Sequence, residues 1–233
     1  MKEQIEELSK VLANQSLVAS LSKVATYFPG RVCFSSAFGQ EDQVITDAIF
    51  SNHLAIDIFT LDTGRLFKET YELIDKTRAR YGKTIKVYYP DTQRVQDLVS
   101  EKGMHSFYES VENRKECCFI RKVEPLGRAL KGADVWITGL RAEQSDNRQH
   151  STLLEWDEAH QVIKFNPLLH WSFREVLTYL EENDVPYNTL HDKGFPSIGC
   201  APCTRAVQHG EHSRSGRWWW EQTQKECGLH AIK

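Results

Sequence analysis

The first half of the chain alternates short apolar runs with amphipathic segments. Four apolar runs predict buried β-strands: RVCFSSAFG, LAIDIFTLDTG, KTIKVYYP and ADVWITGLR. The segments between them predict helices, among them QEDQVITDAIFSN, RLFKETYELIDKTRARYG and DTQRVQDLVSEKG. Because helices that cross over between strands are typical of parallel sheets, the pattern predicts an α/β fold with a doubly wound, mostly parallel sheet.

Capping residues mark several predicted helix boundaries. Asp91 is the predicted N-cap of the helix that Gly103 ends, and Ser172 with Glu175 has the spacing of a capping box. Pro125 predicts a kink or a restart within the helical segment RKECCFIRKVEPLGRALKG.

The pattern changes after about residue 150. TLLEWD and QVIKFNPL predict a short hairpin, and a loop-rich segment that contains GCAPCTRAV follows Pro186. Since no repeat or shift of composition separates the two parts, we expect a single domain over 1–233. It would have an α/β core over about 20–185 and a C-terminal appendage over about 186–233.

Three polar strand ends are candidates for a binding site, because ligands of doubly wound sheets bind beyond the carboxyl ends of the strands. They are SSAFGQED, LDTGR and TGLRAEQS. The 233 residues are 40% hydrophobic and 26% charged, with a net charge of −3. This balance is typical of globular proteins and gives no general basic field, so we expect no nucleic-acid partner.

The same composition predicts a protein without a membrane partner. No apolar run approaches the ~18 residues that a membrane span needs. The N-terminal segment MKEQIEELSKVLAN has the pattern of a charged amphipathic helix, which differs from a signal peptide. We therefore expect a cytoplasmic protein.

Four of the six cysteines are clustered as an adjacent pair, Cys117 and Cys118, and a C-x-x-C segment, Cys200 and Cys203. In a reducing cytosol such clusters bind metal or carry out redox chemistry. Neighbouring residues of a helix diverge by about 100°, so an adjacent pair suits separate irons of a 4Fe–4S cluster better than one zinc ion. The residues favour the cluster, with zinc or a redox-active pair as alternatives.

The remaining residues near this chemistry are Cys33, Lys122 and Cys227. Cys33 lies in an apolar strand and is predicted to be a small core residue. Lys122 follows Cys118 by four residues, so its cation would compensate an anionic cluster unless it is simply a solvated surface lysine. Cys227, in the C-terminal segment KECGLH, is either an inert thiol or a mobile nucleophile.

Several of these motifs together resemble the assimilatory adenylyl-sulfate (APS) reductases, close relatives of the 3′-phosphoadenylyl-sulfate (PAPS) reductases. The resemblance rests on ECCFIRKVEPL, GCAPCTRAV, SGRWWWE, KECGLH, FSSAFGQED and LDTGRLFKET. The CC…C-x-x-C pattern is similar to the iron–sulfur branch of that family. The resemblance implies an adenine nucleotide α-hydrolase-like fold, one 4Fe–4S cluster on the four cysteines, and a role in sulfate assimilation and cysteine biosynthesis.

The family chemistry assigns Cys227 as the nucleophile on a flexible C-terminal tail. A thiolate attacks the sulfur of APS and expels AMP, which leaves an S-sulfocysteine. A second thiol then releases sulfite, and the resemblance implies thioredoxin, with glutaredoxin as an alternative, as its source. The tryptophans 218–220 would either pack the root of the tail or lie at a subunit contact of a homo-oligomer.

An anionic substrate requires donors and cations, and the family motifs supply them. Backbone N–H groups after the first strand, the LDTG turn and four basic residues are the predicted contacts. The predicted substrate-binding residues are Ser35, Ser36, Phe38, Gly39, Leu61, Gly64, Lys122, Arg141, Arg214 and Arg217.

Three alternative functions stay open at this point. The substrate could be PAPS, alone or together with APS. The protein could be a non-catalytic iron–sulfur or zinc sensor that binds an adenine nucleotide. It could also be an adenylating enzyme of the ATP pyrophosphatase type, but the loop SSAFG departs from the S-G-G-x-D-S pattern of those enzymes.

Overall fold

The computed structural model describes residues 2–145 and 148–221. The tail cysteine Cys227 lies outside these residues, as does most of the predicted tail. The strands are β1 Val32–Ser35, β2 Asp57–Leu61, β3 Lys86–Tyr88, β4 Val135–Ile137, β5 Leu154–Asp157 and β6 Val162–Phe165. The helices are α1 Lys2–Leu12, α2 Leu17–Tyr27, α3 Gln40–Ser51, α4 Lys68–Tyr81, α5 Thr92–Lys102, α6 Val111–Cys118, α7 Glu124–Ala129 and α8 Phe173–Glu182.

The six strands form one sheet in the order β3-β2-β1-β4-β6-β5. Strand β1 pairs in parallel with β2 and β4, and β4 pairs in parallel with β6. Buried side chains form a row across these strands. Phe34 of β1 is paired with Ile58 of β2 and with Ile137 of β4, and Ile137 is paired in turn with Phe165 of β6. Strand β5 pairs antiparallel with β6, as the predicted hairpin requires. The mostly parallel α/β sheet is confirmed.

The described residues form two compact units. The first consists of the described residues within Met1–Thr60, Glu72–Lys86 and Leu130–Asn188, and the second of those within Leu61–Tyr71, Val87–Ala129 and Thr189–Lys233. The first unit holds the main hydrophobic core, which is built from strands β1, β4 and β6 and helices α2, α3 and α8. The second unit holds a small apolar cluster of Leu98, Phe107 and Cys117. The single-domain interpretation of the whole chain stays a prediction.

The predicted helix ends agree with the structure at the capped positions. The Asp91 carboxylate accepts the Arg94 N–H at 2.9 Å, and Gly103 ends α5 with a φ of 85°. The Ser172 hydroxyl accepts the Glu175 N–H at 3.2 Å, which confirms the capping box of α8.

The segment with the paired cysteines stays helical, and its hydrogen-bonding pattern changes just before Pro125, where a kink or a restart was predicted. Helix α6 ends at Cys118, a π-helical turn covers Phe119–Val123, and α7 begins at Glu124. Pro125 is the second residue of α7 and directly follows the π-helical turn, where the regular i to i−4 hydrogen bonding is already interrupted, so its missing backbone N–H costs little.

Two elements differ from the prediction. Helix α2 was not predicted, although Ser16 caps it and Leu17, Leu21 and Val24 form its buried face. Helix α4 begins at Lys68, three residues later than the pattern suggests. The preceding residues form a turn, because the Arg65 N–H donates to the Thr63 hydroxyl at 3.2 Å. No helix within the described residues is both long and apolar enough to cross a membrane.

Candidate active site

The order of the strands defines where the first unit can bind a ligand. Strand β1 lies between β2 and β4. The strands that follow β1 in the chain, β2 and β3, lie on one side of it, and the later strands lie on the other side, so β1 marks the point where the strand order reverses. A crevice opens beyond the carboxyl ends of the strands at such a switch point. The segments 35–39 and 138–141 follow directly after β1 and β4. Two of the three predicted strand ends therefore belong to one edge of the first unit.

The loop after β1 is held by its own hydrogen bonds. Ser35 Oγ accepts the Trp136 indole N–H at 2.8 Å, and Ser36 Oγ accepts the Phe38 N–H at 3.2 Å. Phe38 has a left-handed φ of 59°, and its side chain is buried in the main core. A ligand at this loop would therefore meet the backbone of Phe38 and not its ring.

The carboxylate of Asp42 occupies two N–H groups of this loop. Its Oδ2 accepts the Ala37 N–H at 2.8 Å and the Gly39 N–H at 3.2 Å. Burial raises the pKa of Asp42 to about 7, and the neighbouring Glu41 charge adds to this, while the two backbone N–H groups oppose it. A Cβ atom on Gly139 would collide with this carboxylate, so glycine lets the strand end approach it closely.

Arg141, a predicted substrate contact, is buried beside carboxylates of its own unit. Its Nε donates to Glu41 at 2.8 Å, and its Nη1 donates to Glu143 at 3.2 Å and to the Trp171 carbonyl at 3.3 Å. The guanidinium also lies 5.5 Å from the centre of the Phe173 ring. The sequence identified the cation at this strand end but not the carboxylates that pair with it.

In the second unit, the LDTG turn lies against the cysteine segments. Asp62 Oδ1 accepts the Gly64 N–H at 2.8 Å and the Tyr71 hydroxyl at 2.9 Å, so this carboxylate shapes the turn that follows Leu61. Gly64 adopts a left-handed φ of 69°. Thr63 Oγ1 lies 3.3 Å from Cys200 Sγ.

All four predicted ligand cysteines line one cavity of the second unit. Cys117 and Cys200 are buried, and Cys118 and Cys203 are half-buried. The predicted Lys122 lines this cavity too, which agrees with its expected position near Cys118. The other lining residues are Arg65, Phe107, Arg114, Arg121 and Trp218. Two short segments more than 80 residues apart thus form one thiol-rich, cation-rich site.

The thiols of this cavity differ in acidity. Burial raises the pKa of Cys117, and it raises the pKa of Cys203 to about 12. For Cys200, burial acts most strongly and in the same direction. However, the Lys122 cation, the Thr63 hydroxyl and the Arg217 cation together outweigh it, so its pKa is lowered. The cavity therefore favours negative charge at Cys200.

Buried donors around this cavity indicate what kind of group it suits. Near the cysteine segments, four buried side-chain N–H groups have no acceptor among the described residues: Nε of Arg121, Nε of Arg217, and the indole Nε1 of Trp218 and of Trp220. Each is a donor only, and sulfur atoms are acceptors. In the described part of the chain, no three His, Cys, Asp or Glu side chains converge as the ligands of a single metal ion would. The cysteines and donors fit a larger, sulfur-rich group such as a 4Fe–4S cluster.

Arg217 is fixed close to the cysteine loop, and Arg214 lies in the turn that precedes it. The Arg217 Nη1 donates to Ser197 Oγ and to the Ile198 carbonyl, each at 3.3 Å, and its guanidinium lies against Gly199, where a Cβ atom would collide with it. Arg214 is half-buried in a turn and does not line the cavity.

The tryptophans 218–220 pack the root of the tail. Trp218 is buried with a φ of 41°, and the Trp220 ring lies 4.5 Å from the ring of Tyr108. Trp219 is 39% exposed. The Trp218 N–H donates to the Cys203 carbonyl at 3.2 Å, so the tail root is joined to the cysteine loop.

Sequence reasoning missed three arginines of the cavity. Arg121 follows Cys117 by four residues, and its Nη1 donates to the Thr63 carbonyl at 2.7 Å. Arg114 precedes Cys118 by four residues. The spacing that pointed to Lys122 would have found both of them. Arg65 ends the predicted binding segment LDTGR, but no spacing connects it with the cysteines, because it reaches the cavity from the LDTG turn.

Comparisons with known proteins agree with the predicted family. Residues 31–206 match the model of the phosphoadenosine phosphosulfate reductase domain. The chain is 49% identical over 224 residues to the adenosine 5′-phosphosulfate reductase of Agrobacterium fabrum. The aligned residues cover 96% of this chain and 86% of the relative. It is 52% identical over 200 residues to the enzyme of that name from Allochromatium vinosum, covering 85% and 78% of the two chains.

Solved structures confirm the predicted fold. The phosphoadenylyl-sulfate reductase of Candida auris, in complex with phosphate, superposes with a TM-score of 0.75 at 33% identity, covering 89% of this chain and 98% of that one. The FMN adenylyltransferase of Candida glabrata, in complex with FAD and pyrophosphate, superposes with a TM-score of 0.55 at 15% identity, covering 93% and 79%. The second similarity shows the shared adenine nucleotide α-hydrolase-like fold alone.

Proposed function

The chain belongs to the phosphoadenosine phosphosulfate reductase domain family, and we propose that it reduces adenosine 5′-phosphosulfate to sulfite and AMP in sulfate assimilation. The observation that carries this proposal is the identity of about half of all residues, over most of the chain, with relatives named adenosine 5′-phosphosulfate reductase. The cavity that brings Cys117, Cys118, Cys200, Cys203 and Lys122 together supports the iron–sulfur branch of the family.

In the first half of the reaction, Cys227 is the nucleophile. Its thiolate attacks the sulfur of APS, a sulfur–sulfur bond forms, and the bond between this sulfur and the phosphate oxygen breaks. AMP leaves with the electron pair, and Cys227 carries an S-sulfo group. Among the six cysteines, four line one cavity and Cys33 is buried in β1, where burial raises its pKa to about 12. This distribution leaves Cys227 as the thiol available for attack.

In the second half, a dithiol protein of the thioredoxin or glutaredoxin class supplies both electrons. One donor thiolate attacks Cys227 Sγ and displaces sulfite, which forms a mixed disulfide. The second donor thiol resolves it, so that two thiols are oxidised to a disulfide and Cys227 returns as a thiol. The two-electron reduction of the substrate sulfur is balanced by these thiols alone.

A 4Fe–4S cluster, held by Cys117, Cys118, Cys200 and Cys203, would supply a fixed anionic centre and structural order without carrying the substrate electrons. The unsatisfied N–H donors of Arg121, Arg217, Trp218 and Trp220 support this assignment, since sulfur is an acceptor for them. Lys122 would balance the charge of the thiolates and direct its cation at the sulfate group.

The substrate anion would be bound by the hydroxyls of Ser35 and Ser36 together with basic residues, because the N–H groups of residues 37–39 already donate to Asp42 and Ser36. Ser35 and Ser36 accept hydrogen bonds from Trp136 and Phe38, and each hydroxyl still has its own proton to donate. Leu61 and Gly64 would offer backbone groups to the adenine edge. Arg141, Arg214 and Arg217 are the proposed contacts to phosphate and sulfate oxygens.

Labelling with radioactive APS in the absence of a reductant tests the mechanism. The purified protein is mixed with sulfur-labelled APS, digested, and mapped by mass spectrometry. We expect one label per chain on Cys227 and none in the Cys227→Ser variant, which should keep the absorbance of the wild type near 400 nm. Absence of a covalent label, with intact nucleotide binding, would support the sensor alternative. Label on Cys200 or Cys203 would contradict the assigned nucleophile.

PAPS is a second candidate substrate. The solved relative from Candida auris is named for PAPS and matches 89% of this chain. PAPS carries an additional 3′-phosphate, so its recognition needs further cations near the ribose. A competition assay with equimolar APS and PAPS distinguishes the two substrates. Reduction of APS releases AMP, and reduction of PAPS releases adenosine 3′,5′-bisphosphate. We expect AMP as the main product, whereas comparable amounts of both would indicate dual specificity.

A further inference from the structure

A buried ion pair connects helix α6 with the root of the tail. Arg114 Nε donates to Glu221 Oε1 and its Nη2 donates to Glu221 Oε2, both at 2.8 Å. The two side chains are only 5% and 4% exposed. A hydrophobic pair of similar volume is often as stable as a buried ion pair, so this geometry specifies a position more than it adds stability.

Arg114 also belongs to the cysteine cavity. It lies on α6, three residues before Cys117 and four before Cys118, so it shares their side of the helix. It lines the cavity with both cysteines, and its guanidinium lies 4.8 Å from the centre of the Trp218 ring. One guanidinium therefore contacts the cavity, the tail root and the carboxylate of Glu221.

Other bonds join the tail root to the cysteine loop. Residue Arg217 forms an isolated antiparallel bridge with Thr204, and the Trp218 N–H donates to the Cys203 carbonyl at 3.2 Å. The Glu221 N–H donates to the Trp218 carbonyl at 2.9 Å. The chain from 217 to 221 is therefore fixed to both cysteine-bearing segments of the second unit.

Cys227 follows Glu221 by six residues. Covalent geometry limits six residues to a reach of about 20 Å. The place at which Glu221 is fixed thus defines the volume in which the thiol can be found.

We propose that Arg114 and Glu221 are positioning residues for Cys227, because their ion pair fixes the starting point of the nucleophile-bearing segment beside the cysteine cavity. The inference rests on the proposed function of Cys227. Loss of the pair would release the Glu221 side chain from α6, which loosens the starting point of the segment that carries Cys227 and slows its attack. Substrate binding and the thiol-rich cavity would remain.

The test compares Glu221→Gln with Glu211→Gln. Glu211 is a matched control, because it forms a two-pronged ion pair with Arg205 at 2.8 Å in the same C-terminal part of the chain, and this pair is half-exposed. Three quantities are measured on the full-length holoprotein: the single-turnover rate of labelling by APS without reductant, the dissociation constant for APS, and the visible absorbance. Arg114→Lys keeps the positive charge but cannot form the two parallel hydrogen bonds to the Glu221 carboxylate.

We expect Glu221→Gln to slow labelling at least tenfold, with the dissociation constant and the absorbance within twofold of the wild type. Arg114→Lys should slow labelling to an intermediate degree, and Glu211→Gln should change none of the three quantities beyond twofold. A wild-type labelling rate in Glu221→Gln would overturn the inference. Loss of the absorbance in that variant would also overturn it, because the pair would then serve the cavity and not the tail.

A second readout separates this inference from the proposed mechanism. A nitroxide is attached to Cys227, with Cys227→Ser as the blank, and its mobility is read from the electron paramagnetic resonance spectrum. Glu221→Gln should sharpen the spectrum and Glu211→Gln should not. If Glu221→Gln sharpens the spectrum but the wild-type protein takes up no sulfur label from APS, the proposed function fails while the positioning role stands. An unchanged spectrum overturns the positioning role.

Discussion

Replacing Asp42 by asparagine should remove a pH dependence of folding stability that we expect of the wild-type chain between about pH 4 and pH 7. Asp42 is buried beside Glu41, and its Oδ2 accepts the N–H groups of Ala37 and Gly39. Asparagine keeps the shape and an oxygen acceptor but cannot titrate. Burial, the dominant influence, raises the pKa of Asp42 from 3.8 to about 7.

The direction and the size of the effect follow from this shift. The folded chain binds a proton at Asp42 that the unfolded chain has already lost between pH 3.8 and about 7. The stabilisation by the protonated carboxyl is therefore complete below pH 3.8 and is lost as the pH rises through about 7. A shift of about three units corresponds to about 4 kcal/mol in total, of which roughly 3 kcal/mol falls between pH 5 and pH 8.

The pH dependence can be measured by urea unfolding of the wild type and of Asp42→Asn. Unfolding is followed by circular dichroism at steps of half a pH unit from pH 5 to pH 8. The free energy of unfolding of the wild type, minus that of the variant, should fall by roughly 3 kcal/mol over this range. Asp75→Asn is the control, since the Asp75 side chain is 81% exposed. A difference that stays constant within about 0.5 kcal/mol, or that rises with pH, would refute the reasoning.

Two further substitutions test the loop and a helix end. Gly139→Ala should lower the free energy of unfolding by about 1–3 kcal/mol, because the added methyl group collides with the Asp42 carboxylate. In thermal melts, the same substitution made in an Asp42→Ala background should cost less stability than it does in the wild type. Ser172→Ala should cost about 1 kcal/mol through loss of the α8 cap, with APS turnover unchanged within twofold, and a large loss of turnover would contradict a purely local role.

Local patterns predicted the secondary structure well, because capping and periodicity depend on neighbouring residues. Ser172 and Asp91 cap the expected helices, and the apolar runs became the strands of the parallel sheet. Helix α2 was readable in the same way, since Ser16 precedes apolar residues spaced by three and four.

Long-range pairing was not predictable in this way. The sequence indicated Arg141 as a cation at a strand end, but its partner Glu41 lies 100 residues away on α3. Glu221 likewise pairs with Arg114 across 107 residues. Such pairs depend on how distant elements pack, and no periodicity encodes them. The cysteines were an exception, because the scarcity of thiols in the chain made their grouping visible before the cavity was known.

The π-helical turn after α6 makes this part of the chain sensitive to its length. The Glu124 N–H reaches back five residues to the Phe119 carbonyl, so the turn holds one residue more than an α-helical turn does. Deleting a single residue from it would replace it by an α-helical turn and rotate Cys117 and Cys118 by about 100° relative to α7. Substitutions at its exposed Phe119 leave the angle intact. Natural variation at exposed positions of this turn should therefore change side chains while the number of residues stays constant.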